Sequence, residues 1–186
     1  MKKAVALVLA LVMLTGCSSG RQAIDRALEL RSRLLGGSGC SFTAKITADY
    51  GDSVQYFTVD CKGDDQGALE FTVKAPDTIA GICGSISEDG GKLTYDDVAL
   101  SFPLLTQEQI SPVSAPWIFL RTLRGGYLTS AGEEEGLLRV TIDDTYEEDA
   151  LQLDIWLNGG NMPVRAEILY DGVRILSLEV EKFEIL

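Results

Sequence analysis

The sequence predicts a mainly β protein with few helices, an α+β chain whose curled antiparallel sheet of about 10–11 strands forms an open half-barrel under a helical lid. Three observations predict it. From Cys40 onward apolar and polar residues alternate at period two, turn residues interrupt the alternation at short intervals, and only two segments carry helical spacing. Strands that follow one another through short turns pair antiparallel, and so many in succession curl because each strand is twisted.

The first helical segment spans residues 21–35, where Ile24, Ala27, Leu28, Arg31, Leu34 and Leu35 fall at helical spacing; Gly36-Gly37-Ser38-Gly39 ends it. In residues 40–50 the even positions Phe42, Ala44, Ile46 and Ala48 are apolar, and in 53–61 the odd positions Phe57, Val59 and Cys61 are. A hairpin turning at 50–52 opposes the even set to the odd set, so both share one face. Cys40 and Cys61 then fall opposite each other or one diagonal step away. The preferred reading is a disulfide closing a 22-residue loop, worth about 3 kcal/mol; the other is two buried free thiols.

A strand over 68–75 follows, with Leu69, Phe71 and Val73 on one face, and Pro76-Asp77 breaks it. Residues 78–87 read as a strand in which Gly81 and Gly84 mark a bulge or strong curl. Cys83 has the opposite parity to Ile82 and Ile86 and reads as an unpaired thiol. Short strands come next at 92–95 and 98–102. Pro103, Pro112 and Pro116 then bracket an irregular stretch, with Ser114 as N-cap of a helix over 115–124 that carries Trp117, Phe119, Leu120 and Leu123 and stops at Gly125-Gly126. Strands resume at 127–130, 137–142, 151–157, 162–170 and 173–183, the last two joined by the hairpin signal Asp171-Gly172.

The N-terminus is of another kind: Lys2 and Lys3, an apolar run over 4–14, then Leu14-Thr15-Gly16-Cys17. It resembles a bacterial lipoprotein signal peptide, with residues 1–16 removed and Cys17 acylated. The run is shorter than the ~20 residues a spanning helix needs, and a plain secretory signal has no need of the cysteine. The resemblance implies lipid anchoring through Cys17 at the extracytoplasmic face of the cell membrane, with residues 17–20 as lipidated cysteine and short tether and 21–186 as a single domain. Each buried acyl methylene contributes about 0.8 kcal/mol, so two long chains hold such a protein firmly.

Removing residues 1–16 takes away Lys2 and Lys3 and leaves 14 basic against 28 acidic residues, a formal charge of −14. Phosphate backbones and anionic headgroups repel such a chain, which excludes nucleic acid as a partner and leaves adhesion to the lipid. The absence of histidine excludes Ser-His-Asp and Cys-His catalysis and imidazole zinc sites. The acidic runs Glu133-Glu134-Glu135, Asp143-Asp144 and Glu147-Glu148-Asp149 lack EF-hand-like spacing and read as solvated turns. No catalytic residue, metal site or cofactor is assigned.

The order of elements resembles the lipoprotein-carrier superfamily, the fold of the LolA and LolB proteins with the RseB and LppX groups as relatives. The resemblance is carried most by the end of the chain: Asn161-Met162-Pro163-Val164-Arg165-Ala166-Glu167-Ile168, then Val173 through Val180, then Phe183-Glu184-Ile185. It implies a concave apolar face, lidded by helices, that accepts acyl chains or another hydrophobic ligand. Phe42, Ile46, Phe57, Val59, Phe71 and Val73 from the sheet and Trp117, Leu120 and Leu123 from the lid are the lining residues, unless they simply fill a core. The function expected is a membrane-anchored, non-enzymatic protein that binds or senses a lipid or lipopeptide. The alternative is an envelope interaction or regulatory scaffold with a protein partner and no small-molecule ligand.

Overall fold

The computed structural model describes residues 17–49, 51, 53–96, 98–102, 105–106, 109–147 and 150–186; the expected signal peptide, residues 1–16, lies outside them. Helix α1 (Cys17–Gly36) leads into strands β1 (Gly39–Asp49), β2 (Val54–Asp64), β3 (Leu69–Ala75), β4 (Cys83–Ser87), β5 (Gly90–Tyr95) and β6 (Val98–Phe102). The small pair β7 (Leu105–Thr106) and β8 (Gln109–Ile110) precedes helix α2 (Ala115–Gly125). Strands β9 (Tyr127–Glu134), β10 (Leu137–Asp143), β11 (Leu151–Leu157), β12 (Pro163–Tyr170) and β13 (Val173–Ile185) complete the chain. The main sheet has eleven strands in the order β6-β5-β4-β3-β2-β1-β13-β12-β11-β10-β9. Every pairing is antiparallel, and β6 and β9 remain as edges, so the sheet is an open half-barrel with helices on its concave side.

Two meanders of nearest neighbours meet at β1. Its register with β2 sets Phe42 opposite Cys61, Ala44 opposite Val59 and Ile46 opposite Phe57, and its register with β13 sets Ala44 opposite Val180 and Ile46 opposite Leu178. One parity choice therefore runs through the whole sheet, because a slip of one residue would turn every apolar side chain outward. Val59 faces Val73, Phe71 faces Gly84, Ile155 faces Ala166 and Val140 faces Ile155, all on the concave side. Gly84 is required there: a Cβ would meet the Phe71 ring at 2.5 Å and the Lys92 carbonyl oxygen at 2.7 Å.

Four local expectations are corrected. Cys40 and Cys61 are free thiols, not a disulfide. The register places Cys40 opposite Gly63 and Cys61 opposite Phe42, a diagonal relation; such neighbours stand about 7–8 Å apart, beyond the reach of an unstrained bridge. Residues 78–87 are not one strand: a 3-10 turn occupies Asp77–Ile79, and Gly81, at φ +90°, redirects the chain before β4 starts at Cys83. Ser114 does not cap α2 with its side chain, since it ends the 3-10 turn Pro112–Ser114 in helical conformation and its buried hydroxyl has no partner among the described residues. Helix α1 already includes Cys17 among the described residues and buries Ala23, Ala27, Leu30 and Leu34, whereas Ile24, Leu28 and Leu35 stay exposed. Small Ala23 and Ala27 let the helix settle close against β9 and β10, which turns the bulkier Ile24 and Leu28 to its flank.

The core closes on three rings. Phe119 of α2 lies edge-on to Phe42 of β1, centroids 5.6 Å apart, and to Phe183 of β13 at 6.3 Å; Phe42 and Phe183 stack at 5.5 Å. Such pairs add about 0.5–1.5 kcal/mol each beyond the area they bury. Phe119→Ala is expected to lower unfolding stability by about 3–5 kcal/mol, and exposed Tyr56→Ala by less than about 0.5 kcal/mol, both read from urea denaturation midpoints.

Candidate functional site

The concave face divides into a covered and an uncovered half. Helix α1 lies over β9 and β10, and α2 spans from β10 across β13 to β2. Polar contacts at their ends hold both helices in place. Trp117 Nε1–H donates to the Gly67 carbonyl at 3.0 Å, and Arg124 donates to the carbonyls of Asp64 and Asp65, fastening α2 to the β2–β3 turn. Arg31 Nε donates to the Leu123 carbonyl at 2.8 Å, satisfying one of the free carbonyls at the end of α2. Arg26 donates to the Asn158 carbonyl and Asn161 Nδ2 donates back to the Arg26 carbonyl, tying α1 to the β11–β12 turn.

Under this cover the expected lining residues are brought together. Phe42, Ile46, Val59, Phe71, Val73, Trp117, Leu120 and Leu123 are buried in one hydrophobic cluster, and Phe57 is half-buried against it. Residues of both helices, Leu30 and Leu34 among them, belong to the same cluster. Cys40 and Cys61 sit within it. Burial pushes the Cys40 thiol up to about 11, and burial together with the charge of Asp60 pushes Cys61 higher still. Thiolate is the reactive form, so both are held inert at neutral pH.

The uncovered half is formed by β5 and β6. Pairing of Gly84 with Leu93, Leu93 with Leu100 and Tyr95 with Val98 carries the concave parity onto these strands. Tyr95, Val98 and Leu100 thus belong to the inner face yet are 59%, 61% and 64% exposed. Leu93, Phe57, Ile79 and Ile82 are half-buried at the border with the core. The sequence reading passed over this strip, although following parity from Phe71 through Gly84 to Leu93 and Leu100 would have found it.

The convex face is built for water. Asp154 is buried there but accepts hydrogen bonds from Arg139 at 2.6 Å and Thr141 at 2.7 Å, and Trp156 lies between the guanidiniums of Arg139 and Arg165, at 5.4 and 4.3 Å. The hydrogen bond to Asp154 is the main reason Arg139 sits above its ordinary value. Glu167 takes both Arg165 and Arg174. A cleft of about 530 Å³ on this side is lined by Lys62, Glu70, Thr72, Cys83, Ser85 and Lys92, and one of about 360 Å³ lies beside the end of α2 among Leu35, Gln66, Trp117, Leu120, Arg121 and Arg124. Cys83 is exposed, as its parity predicts. Among the described residues no group of three His, Cys, Asp or Glu side chains is disposed to hold a metal, and no helix is long and apolar enough to cross a membrane. Glu148 and Asp149 of the last acidic run lie outside the described residues.

No protein-family model matches the chain, and no curated protein matches it. Solved structures are similar to it. A DUF1329 family protein from Desulfovibrio piger is 8% identical with a TM-score of 0.49, covering 90% of this chain and 93% of that one. The LolA superfamily protein from Nitrosomonas europaea is 6% identical with a TM-score of 0.44, covering 86% and 93%. Mycobacterium tuberculosis lipoprotein LppX is 16% identical with a TM-score of 0.42, covering 87% and 93%.

The three thiols are expected to separate kinetically. In a Cys17→Ser chain, a water-soluble disulfide reagent should titrate one thiol, Cys83, within minutes and two more only in denaturant. Two fast equivalents would show that the sheet does not seal Cys40 and Cys61.

Proposed function

We propose that this is a lipid-anchored, non-enzymatic protein of the cell envelope that holds a hydrophobic ligand, an acyl chain or lipid, on the uncovered half of its concave sheet. The observation that carries the reading is the exposure of Tyr95, Val98 and Leu100 on the inner face. On a monomer, contiguous exposed apolar surface on a concave wall marks a binding site more often than an ordinary surface. A ligand laid along β5 and β6 would meet these three side chains and Leu93, with Phe57, Val73 and Phe71 behind them at the edge of the core. Of the residues first expected to line a cavity, Phe57 is the one half-buried at that border, while Phe71 and Val73 are buried beneath it. Phe42, Ile46, Val59, Trp117, Leu120 and Leu123 lie deeper and serve to hold the wall. Anchoring rests on the lipobox Leu14-Thr15-Gly16-Cys17 and places this wall close to a lipid reservoir.

The scaffold reading keeps one supporting observation. Strand β6 is an edge of the sheet, with unpaired backbone groups that an extended segment of a protein partner would extend by strand addition.

Two measurements test the reading. Protein extracted from envelopes is expected to carry lipid in native mass spectrometry, and Leu100→Asp with Val98→Asp to reduce its retention about tenfold, a loss of about 1.4 kcal/mol, with the melting temperature unchanged because both sites are exposed. Lipid-free protein throughout, with a partner captured through β6, would favour the scaffold. Cys17→Ala is expected to abolish palmitate incorporation; persistent labelling would remove the anchor assignment.

A further inference from the structure

The charge of the chain is strongly segregated. Helix α1 carries Arg21, Arg26, Arg31 and Arg33 against Asp25 and Glu29, a net +2, while residues 37–186 hold the remaining 10 basic and 26 acidic residues, a net −16. On the same helix Ile24, Leu28 and Leu35 are 39%, 47% and 54% exposed. At 100° per residue these three fall within one narrow sector beside the buried stripe of Ala23, Ala27, Leu30 and Leu34. Exposed Arg21 borders that sector on one side; Arg31, on the other, is engaged with the Leu123 carbonyl at the end of α2, and Asp25 and Glu29 lie farther round beyond Arg21. The helix starts at Cys17, so Ile24 stands about 10 Å along its axis from the lipid-bearing residue.

From these placements we infer that the flank of α1 bearing Ile24, Leu28 and Leu35 rests in the headgroup layer of the bilayer, with exposed Arg21 against anionic lipid. The inference rests on the proposed acylation of Cys17. An apolar strip edged by an exposed arginine, on a helix that includes the residue proposed to be lipidated, has the make-up of an interfacial helix, in which partial apolar burial and attraction to anionic lipid add to the acyl anchor. The net charge of the whole domain argues against such contact only if it is averaged. At a membrane surface charge acts within a Debye length of about 8 Å, so the residues beside the strip weigh more than the sum over the domain. The lipid thus fixes an orientation as well as a location.

The test uses the acylated protein in a Cys83→Ser background, with a nitroxide on Leu28→Cys or on Gln22→Cys, which lies on the opposite side of the helix. Each is reconstituted into phosphatidylcholine vesicles with or without one quarter phosphatidylglycerol. The Leu28→Cys label is expected to show an oxygen-to-nickel-chelate accessibility ratio about fivefold above that of Gln22→Cys in the anionic vesicles, falling by about half without anionic lipid or with Arg21→Gln. Vesicle flotation with both labels equally aqueous overturns the docking but leaves the anchor intact. Equal insertion with and without phosphatidylglycerol overturns the role of Arg21, and failure to float overturns the anchor and the docking together.

Discussion

The fold depends on Phe119 being pressed against Phe42 and Phe183. Those two rings belong to β1 and β13, the strands through which the N-terminal and C-terminal meanders join, and Phe119 arrives from a helix far from both in sequence. A single apolar contact therefore fixes the lid to the seam of the sheet. Once α2 is held there, its Trp117 and Arg124 reach the β2–β3 turn and its last carbonyls reach Arg31 of α1. The two helices cover one half of the sheet because their anchoring points all lie in that half. The other half is left open by the same geometry.

Much of this was legible in residues alone. The alternation of Phe42, Ala44, Ile46 and Ala48, answered by Phe57, Val59 and Cys61 across a turn, dictates both a hairpin and its inner face, since period-two patterning admits one register in a half-buried strand. Harder to read were places where two solutions satisfy one pattern. Ile24, Leu28, Ala27 and Leu34 all suit a helical stripe, and only packing against β9 and β10 selects the alanine side. A diagonal and a directly opposed cysteine pair differ by a turn residue, and the hairpin at 50–52 resolves that only when its register is fixed. The Ser114 hydroxyl looks like a cap until the 3-10 turn before it takes over the entry to α2. The inner strip on β5 and β6 was invisible for a different reason: its strands are short, and their facing is inherited through Gly84 and Leu93 rather than stated by their own sequence.

Net charge is the quantity that averaging served worst. A formal −12 correctly describes how the chain meets a polyanion at long range. It misdescribes helix α1, where four arginines stand against two acids. Charge at a membrane acts within about a Debye length, so its distribution over elements matters more than its sum.

Anchor, helix and sheet then bear on one another. Under the proposed acylation the lipid is carried on a residue of α1, and hydrogen bonds to the β11–β12 turn and to the end of α2 tie that helix to the sheet. The concave wall would then inherit the orientation that such an anchor imposes. An exposed apolar strip on a freely tumbling, strongly acidic domain would meet lipid rarely, whereas one carried rigidly on a membrane-fixed helix meets it continually. A ligand site with modest affinity is sufficient under those conditions, since tethering raises the local concentration that an open trough must otherwise offset by enclosure. That is a physical reason for the concave wall to remain half uncovered under the proposed anchoring.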